Sequence, residues 1–267
     1  MATFGFIGTG NMGGALARAA AKSLAPEEMI LSDAYAPVAE ALAQELGCKA
    51  VPVEEVAAKA KFIWLGVKPQ MMGDLLEEIR PVLRQRTDRF VLVSMAAGVS
   101  IWELHRLAGA EFPIIRIMPN IPVSVGSGVI LYTATGDVRP EELAFFEKNM
   151  AGAGLLDRLP ERLIDAGSAL SGCGPAFVAM FIEALADGAV ACGLPSKQSL
   201  TYAAQTLIGS AKVVLEKEMH PGQLKDAVCS PGGTTIMGVR ALEEAGFRGA
   251  AVDAVIAAYE KTLELAD

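Results

Sequence analysis

Strand patterns and helical patterns alternate through the first 158 residues or so of the chain, and the strand patterns then stop. The strand patterns are short apolar runs, and the segments between them carry apolar residues at helical spacing, as over 37–46. This alternation is typical of βαβ units around a parallel sheet. The rest of the chain shows helical patterns only. We therefore predict an α/β domain over residues 1–160 and an all-helical domain over residues 161–267.

The predicted elements can be placed with some detail. Strands are expected over 3–8, 29–33, 62–67, 90–94, 114–118 and 129–132, and the helices of the second part over 161–169, 175–192, 196–217, 234–245 and 247–265. Between Pro69 and Pro81 we expect a helix over 70–80 that the second proline ends, since proline lacks the backbone N–H that a helix interior uses. Another helix should start at Pro140.

The first strand runs directly into a glycine triplet, Gly8-Thr9-Gly10-Asn11-Met12-Gly13, which opens an alanine-rich helix. In a G-x-G-x-x-G loop the first glycine makes the tight turn, the second lets the backbone approach a pyrophosphate, and the third lets the helix pack on the strand. Free N–H groups at the helix start favour phosphate. This context predicts a dinucleotide site rather than an ordinary strand–helix turn.

Asp33 follows the second strand, 20 residues after Gly13, where an acid that binds ribose hydroxyls is expected. A carboxylate there repels a 2′-phosphate, and residues 34–37 offer no Arg or Lys to neutralise one. The cofactor is therefore NADH or NADPH, with NADH favoured by Asp33.

Net charge bears on possible partners. The chain has 23 Lys and Arg against 31 Asp and Glu, a formal charge of −8, with no basic cluster. Nucleic acid and anionic membrane surfaces are thus unexpected partners.

The separate apolar runs are shorter than the roughly 18–20 residues that span a bilayer, and the first residues lack a charged leader. We expect a soluble, cytoplasmic protein. The scattered cysteines and two isolated histidines predict no metal site.

Two features stand out in the helical part. Helix 175–192 carries only Glu183 and Asp187 as charges, so it needs cover on all sides, and we expect a second subunit to supply it. The loop 230–235, Ser-Pro-Gly-Gly-Thr-Thr, feeds a helix start with two glycines and three hydroxyl side chains. Such a loop can bind an anion through backbone N–H groups, although an ordinary capped turn has the same composition.

These motifs together resemble the bacterial pyrroline-5-carboxylate reductases over essentially the whole chain. The similar stretches are residues 6–13, 67–70, 96–99, 116–120, 170–175 and 220–236, and the last is the most specific. The resemblance implies a Rossmann-type domain followed by a helical dimerisation domain, assembled as a homodimer or a multiple of dimers. It also implies the NAD(P)H-dependent reduction of Δ1-pyrroline-5-carboxylate to L-proline, the last step of proline biosynthesis.

The resemblance also implies site residues. Thr235 would be the catalytic residue, with its hydroxyl at the ring nitrogen. The substrate loop would comprise Ser230, Gly233, Thr234 and Thr235. The cofactor contacts, including Asp33 from the argument above, would be Ile7, Gly8, Thr9, Gly10, Asn11, Met12, Asp33, Gly66, Val67, Lys68, Pro69, Met95, Ala96 and Ala97.

The chain departs from the family pattern at a few positions. Ile121 stands where Thr is usual, Cys173 where Ser is common, and Val53 near an Asn that some members use towards the cofactor. Two other functions remain as alternatives. One is a dehydrogenase of the β-hydroxyacid or 6-phosphogluconate type, with Lys197 or Lys212 as its acid–base residue. The other is a dinucleotide sensor without enzymatic activity.

Overall fold

The computed structural model describes residues 2–266, and an eight-stranded sheet forms its centre. The strands are β1 (Phe4–Ile7), β2 (Met29–Ser32), β3 (Lys49–Ala50), β4 (Phe62–Leu65), β5 (Val91–Ser94), β6 (Ile114–Pro119), β7 (Gly128–Ala134) and β8 (Gly154–Arg158). Their order is β3-β2-β1-β4-β5-β6-β7-β8. All neighbours run parallel except β6 and β7, which are antiparallel.

Helices cover the sheet and connect its strands. They are α1 (Asn11–Ala20), α2 (Ala36–Leu46), α3 (Val53–Lys59), α4 (Met72–Gln85), α5 (Ile101–Ala108), α6 (Pro140–Met150) and α7 (Ile164–Ser171). The central strands β1, β2, β4 and β5 are almost entirely apolar because both faces of the sheet are buried there. Phe62 and Trp64 of β4 belong to one buried cluster, whereas Ile63 and Leu65 belong to the other. All six predicted strands are confirmed; β3, with two residues, and β8 were not predicted.

The predicted end of α4 at Pro81 is wrong, since the helix continues through this proline to Gln85. Buried residues recur at helical spacing on both sides of the proline, at Leu76, Ile79 and Leu83, so the apolar face holds the helix past it. Pro81 and Glu77, whose carbonyl loses its hydrogen-bond donor, lie on the exposed side. Water can therefore satisfy that carbonyl.

The second part of the chain is helical, as predicted. Its helices are α8 (Gly174–Ala191), α9 (Ser196–Glu216), α10 (Pro221–Val228), α11 (Thr234–Glu244) and α12 (Phe247–Ala266), of which α10 was not predicted. The described chain forms two compact units, residues 2–172 with 259–266, and Cys173–Ala258. Helix α7 thus belongs to the unit that contains the sheet.

Helix α8 is largely uncovered within the chain. Ala186 is its only residue described as buried, while Met180 is 68% exposed. By length and composition alone, the stretch Glu161–Ala191 is apolar enough to cross a membrane, which the separate apolar runs of the sequence did not indicate. An uncovered apolar helix of this kind needs a partner surface.

Candidate active site

The strand order reverses at β1, because β2 lies on one side of β1 and β4 lies on the other. Ligands of open α/β sheets bind beyond the carboxyl ends of the strands at such a switch point. Gly8 follows β1 here and Gly66 follows β4, and the Gly66 N–H donates to the carbonyl of Ile7 at 2.7 Å. The predicted glycine loop therefore lies where this fold places a ligand.

The three glycines of the loop serve different needs. Gly8 has a φ of +90°, and a Cβ there would lie 2.7 Å from the Gly66 carbonyl; a Cβ on Gly13 would lie 2.0 Å from the Gly8 oxygen. The protein's own packing thus requires both. A Cβ on Gly10 would meet nothing within 4 Å. The open space beside Gly10, at the start of α1, fits the close approach of a pyrophosphate.

Asp33 is held from two sides at the end of β2. The backbone N–H of Thr9 donates to Oδ2 of Asp33 at 2.7 Å, and the Thr9 hydroxyl lies 3.2 Å from the same oxygen. The N–H of Tyr35 donates to Oδ1 at 3.0 Å. These bonds fix the carboxylate beside the glycine loop. Oδ2 already accepts two hydrogen bonds, whereas Oδ1 keeps a lone pair with which it can accept a ribose hydroxyl.

A cavity of about 490 Å³ adjoins Asp33. Four predicted cofactor residues line it, namely Ile7, Gly8, Asp33 and Val67, and Val53 lines it as well. Its other lining residues were not predicted: Ser32, Ala34, Ala36, Ala39, Glu40, Ala50, Val51, Pro52, Met71, Asp74, Leu75 and Glu78. The mostly apolar walls fit an adenosine group, and Val53 adds an apolar side chain to them.

Part of this lining could have been read from the sequence. Met71, Asp74, Leu75 and Glu78 recur at the spacing of one helix face. Ala50, Val51 and Pro52 come from β3 and the residues after it, and the two residues of β3 are too few to form a periodic pattern. The other unpredicted lining residues lie at the end of β2, just after it, and in α2.

A second cavity of about 490 Å³ brings together the predicted residues Pro69 and Ala97. The other lining residues are Gln70, Gly98, Val99, Ser100, Trp102, Glu103, Arg116 and Asp165. The Arg116 side chain is 4% exposed and lies 3.2 Å from Glu161 and 2.8 Å from Asp165. The pair with Asp165 joins β6 to α7. Because the guanidinium already pairs with two carboxylates, Arg116 is a poor ligand for an anion.

The remaining predicted cofactor residues occupy the same sheet edge. Gly10 precedes α1, which Asn11 and Met12 begin, and Lys68 follows Val67 with its side chain exposed. Met95 and Ala96 come directly after β5, and Ala96 is buried.

In the unit Cys173–Ala258, the predicted substrate loop lies between α10 and α11. Gly233 caps α11, and its N–H donates to the Ser230 carbonyl at 3.0 Å. A Cβ on Gly233 would lie 2.2 Å from Ser230 Oγ, so any larger residue requires the Ser230 side chain to rotate away. Gly232 has a φ of +71°, which glycine adopts at no steric cost. The loop is therefore a built turn with a fixed shape.

The start of α11 has unused hydrogen-bonding capacity. No side chain caps this helix and no acid lies in its first turn, so the first-turn N–H groups, including those of Thr234 and Thr235, have no acceptor within the helix. Within residues 2–266, the hydroxyl of Thr235 also has no hydrogen-bond partner. Together these groups can bind a carboxylate and one further polar atom.

Both histidines make structural contacts. Nδ1 of His220 accepts from the Gly222 N–H at 3.1 Å and caps α10, and Nε2 of His105 lies 2.9 Å from the Phe112 carbonyl oxygen. Neither is arranged with a nucleophile. No group of three or more metal-ligating side chains occurs among the residues described.

Comparison with protein families matches both parts of the chain. Residues 161–265 match the family "Pyrroline-5-carboxylate reductase dimerisation", and residues 3–98 match "NADP oxidoreductase coenzyme F420-dependent". The first match covers α7 to α12 almost completely. The second ends within the loop between β5 and α5.

Similar proteins match over their full lengths. A pyrroline-5-carboxylate reductase of Methanosarcina acetivorans is 41% identical over 266 residues, covering 98% of this chain and 97% of that protein. The protein of this name from Escherichia coli is 41% identical over 264 residues, with the same coverage. The crystal structure of Plasmodium falciparum pyrroline carboxylate reductase with NADP bound aligns with a TM-score of 0.87 at 31% identity, covering 100% of this chain and 98% of that one.

Proposed function

Because the chain belongs to the pyrroline-5-carboxylate reductase family, we propose that it reduces Δ1-pyrroline-5-carboxylate to L-proline with NADH or NADPH. The observation that carries this proposal is the start of α11, where unused N–H groups and the Thr235 hydroxyl lie together at the end of the loop 230–235. Such a group suits a small cyclic imine that carries a carboxylate.

The cofactor would be held at the edge of the sheet. The glycine loop would bind the pyrophosphate, Asp33 the ribose and the cavity beside it the adenine. The complete set of proposed contacts is Ile7, Gly8, Thr9, Gly10, Asn11, Met12, Asp33, Gly66, Val67, Lys68, Pro69, Met95, Ala96 and Ala97. The fit rests on the open space at Gly10 and on the fixed Asp33 carboxylate.

The substrate would be held by Ser230, Gly233, Thr234 and Thr235. The first-turn N–H groups of α11 bind its carboxylate, with the helix dipole in their favour. Ser230 shapes this turn, because its carbonyl accepts from Gly233. Thr235 is the proposed catalytic residue, and its free hydroxyl hydrogen-bonds the ring nitrogen.

This chemistry needs few ionisable groups. When bound, the reduced nicotinamide supplies a hydride. An imine protonated at nitrogen already carries the positive charge that attracts a hydride to its carbon, so the chain's task is to bind, orient and exclude water. The Thr235 hydroxyl keeps the nitrogen hydrogen-bonded as the charge disappears. No histidine is required, which agrees with the structural contacts of His105 and His220.

The alternative functions have no supporting observation. Lys197 and Lys212, which a β-hydroxyacid or 6-phosphogluconate type of dehydrogenase would use, lie in α9 outside the loop 230–235. A sensor would not need the built turn at Gly233. The match of residues 161–265 to a reductase dimerisation domain also favours the reductase.

The second part of the chain is a dimerisation domain, and the protein forms a homodimer or a multiple of it. We further propose that the functional division follows residues 1–160 for the cofactor and residues 161–267 for dimerisation and substrate. The family match beginning at residue 161 supports this division. We also propose that the protein is soluble and cytoplasmic, as the sequence led us to expect.

The proposal is tested by following NADH oxidation with purified full-length protein. Pyrroline-5-carboxylate should be reduced, whereas 3-ketoacids and other ketoacids should not. A preference for a ketoacid would indicate the dehydrogenase alternative. Tight NADH binding without turnover of any of these compounds would indicate the sensor.

A further inference from the structure

The cavity beside Asp33 is lined by four carboxylates and by no basic side chain. Glu40 comes from α2, and Asp74 and Glu78 come from one face of α4. These three side chains are exposed, and within residues 2–266 none of the four carboxylates forms an ion pair. Lys68 follows the lining residue Val67, but its own side chain is not part of the lining.

We propose that Glu40, Asp74 and Glu78 act with Asp33 to make the enzyme selective for NADH, by giving the adenosine cavity a negative potential that excludes a 2′-phosphate. This inference rests on the proposed cofactor site. Each of these carboxylates repels the roughly two extra charges of NADPH, and their effects add because they surround one cavity. The Plasmodium falciparum structure contains NADP, so the selectivity for NADH is proposed for this chain and not for the whole family.

Thr9 is a positioning residue, because it holds the Asp33 carboxylate in place. Its N–H and hydroxyl both meet Oδ2 of Asp33, and Tyr35 N–H holds the other oxygen. A carboxylate fixed in this way is unable to turn away from an incoming phosphate. The chain also has Ala34, an exposed residue of the cavity lining, at the position directly after Asp33. An Arg near this place is how related folds accept a 2′-phosphate.

Direct binding of the two nucleotides tests the proposal without any need for turnover. Full-length protein is titrated with NADH and with NADPH while nucleotide fluorescence is followed, at low salt and near 1 M salt. We expect the Kd for NADPH to exceed that for NADH by about tenfold or more at low salt. The ratio should shrink at high salt, where charges interact only over about 3 Å.

Variants distinguish the effect of charges at the cavity from the effect of the protein's net charge on the ratio of the two Kd values. Glu40→Gln, Asp74→Asn and Glu78→Gln should each reduce the Kd ratio about two- to fourfold, and the triple variant more. Asp33→Ser should reduce it about tenfold, and Ala34→Arg should reduce it by adding a cation. Glu111→Gln is the matched control: it makes the same charge change at an exposed residue outside the cavity lining, and should leave the ratio unchanged.

Several results would overturn the inference. These are equal or tighter binding of NADPH by the wild type, a ratio insensitive to salt, a Glu111→Gln effect as large as those of the cavity variants, or no binding of either nucleotide. Failure of the proposed function gives a different result. If the protein selects NADH in the titration but does not reduce pyrroline-5-carboxylate, the selectivity is supported and the reductase activity is contradicted.

Discussion

Gly10 differs from Gly8 and Gly13, the other two glycines of the loop, because the space beside its Cα is empty. Its backbone, at φ −63° and ψ −161°, suits any residue, and a Cβ would contact no atom within 4 Å. Gly10→Ala should therefore fold normally, with a melting temperature within about 2 °C of the wild type. The added methyl would occupy the pyrophosphate space and should raise the Kd for NADH at least about tenfold, a loss of about 1.4 kcal/mol.

Gly13→Ala provides the contrast, because its Cβ would lie 2.0 Å from the Gly8 oxygen. This variant should lose stability as well as binding, which thermal unfolding measures. If Gly10→Ala binds NADH as the wild type does, the pyrophosphate does not approach this part of the loop.

Thr235 has a hydroxyl that the folded chain does not use. Thr235→Ala should leave folding and NADH affinity nearly unchanged, since Thr235 is half-buried and its hydroxyl has no partner within residues 2–266. It should lower kcat/KM for pyrroline-5-carboxylate by about 5- to 150-fold, which matches one lost hydrogen bond of about 1–3 kcal/mol. Steady-state kinetics with saturating NADH measure this loss.

Thr235→Ser is the control because it keeps the hydroxyl, and it should retain most of the activity. A serine variant as poor as the alanine variant would assign the effect to packing of the methyl group. A loss above about ten-thousandfold in Thr235→Ala would instead identify Thr235 as an obligatory proton donor.

Whether the role of a single residue can be predicted from the sequence depends on the physical reason for that role. The roles of Gly8 and Gly13 were predicted because the steric requirements of this turn recur in any chain that contains it, whereas Gly233 was expected from the family resemblance. The carboxylates of Glu40, Asp74 and Glu78 were missed, since exposed acids on helices are common. The spacing of Asp74 and Glu78 places them on one helix face, but the folded chain is needed to show that this face and Glu40 line one cavity with Asp33.

At the scale of elements, α4 shows how burial overrides a local signal. The helix runs through Pro81 because Leu76, Ile79 and Leu83 continue its buried face. Pro81→Ala would restore an N–H for the Glu77 carbonyl and remove the ring from the helix interior. A helix-interior proline costs about 3 kcal/mol relative to alanine, and the freer unfolded chain returns about 1 kcal/mol of this.

We therefore expect Pro81→Ala to stabilise the protein by about 2 kcal/mol, seen as a higher urea midpoint. An unchanged or lower midpoint would mean that α4 has adapted its geometry to the proline ring. NADH binding serves as a check on the neighbouring cavity, and it should not change.

The central strands were predictable because both faces of the sheet are buried at β1, β2, β4 and β5, which makes each of them a nearly uninterrupted apolar run. The long helices were predictable from apolar residues at helical spacing. The elements that were missed have weaker patterns for physical reasons. β3 pairs through only two residues, β8 lies at the sheet edge with Leu155 exposed, and α10 is a short helix without a buried residue.

For the whole molecule, the uncovered surface of α8 decides the assembly state. Val178, Met180, Leu185 and Val190 are each about two-fifths or more exposed in the single chain. The helix bears only two charged residues, and it lies in the part of the chain that matches a dimerisation domain. The apolar composition that would suit a membrane span is thus explained by a second copy of the chain.

Ala184→Glu should prevent this assembly, because Ala184 lies on the exposed surface of α8 and the variant would bury an unpaired charge at a cost of several kcal/mol, about 3–5. Light scattering at micromolar concentration should show a dimer or larger assembly for the wild type, and monomer or aggregate for the variant. Ala58→Glu is the matched control, since Ala58 is an exposed residue of α3 in the other unit. It should assemble as the wild type does. A stable wild-type monomer, or an Ala184→Glu protein with unchanged mass, would show that α8 is not the surface that joins the subunits.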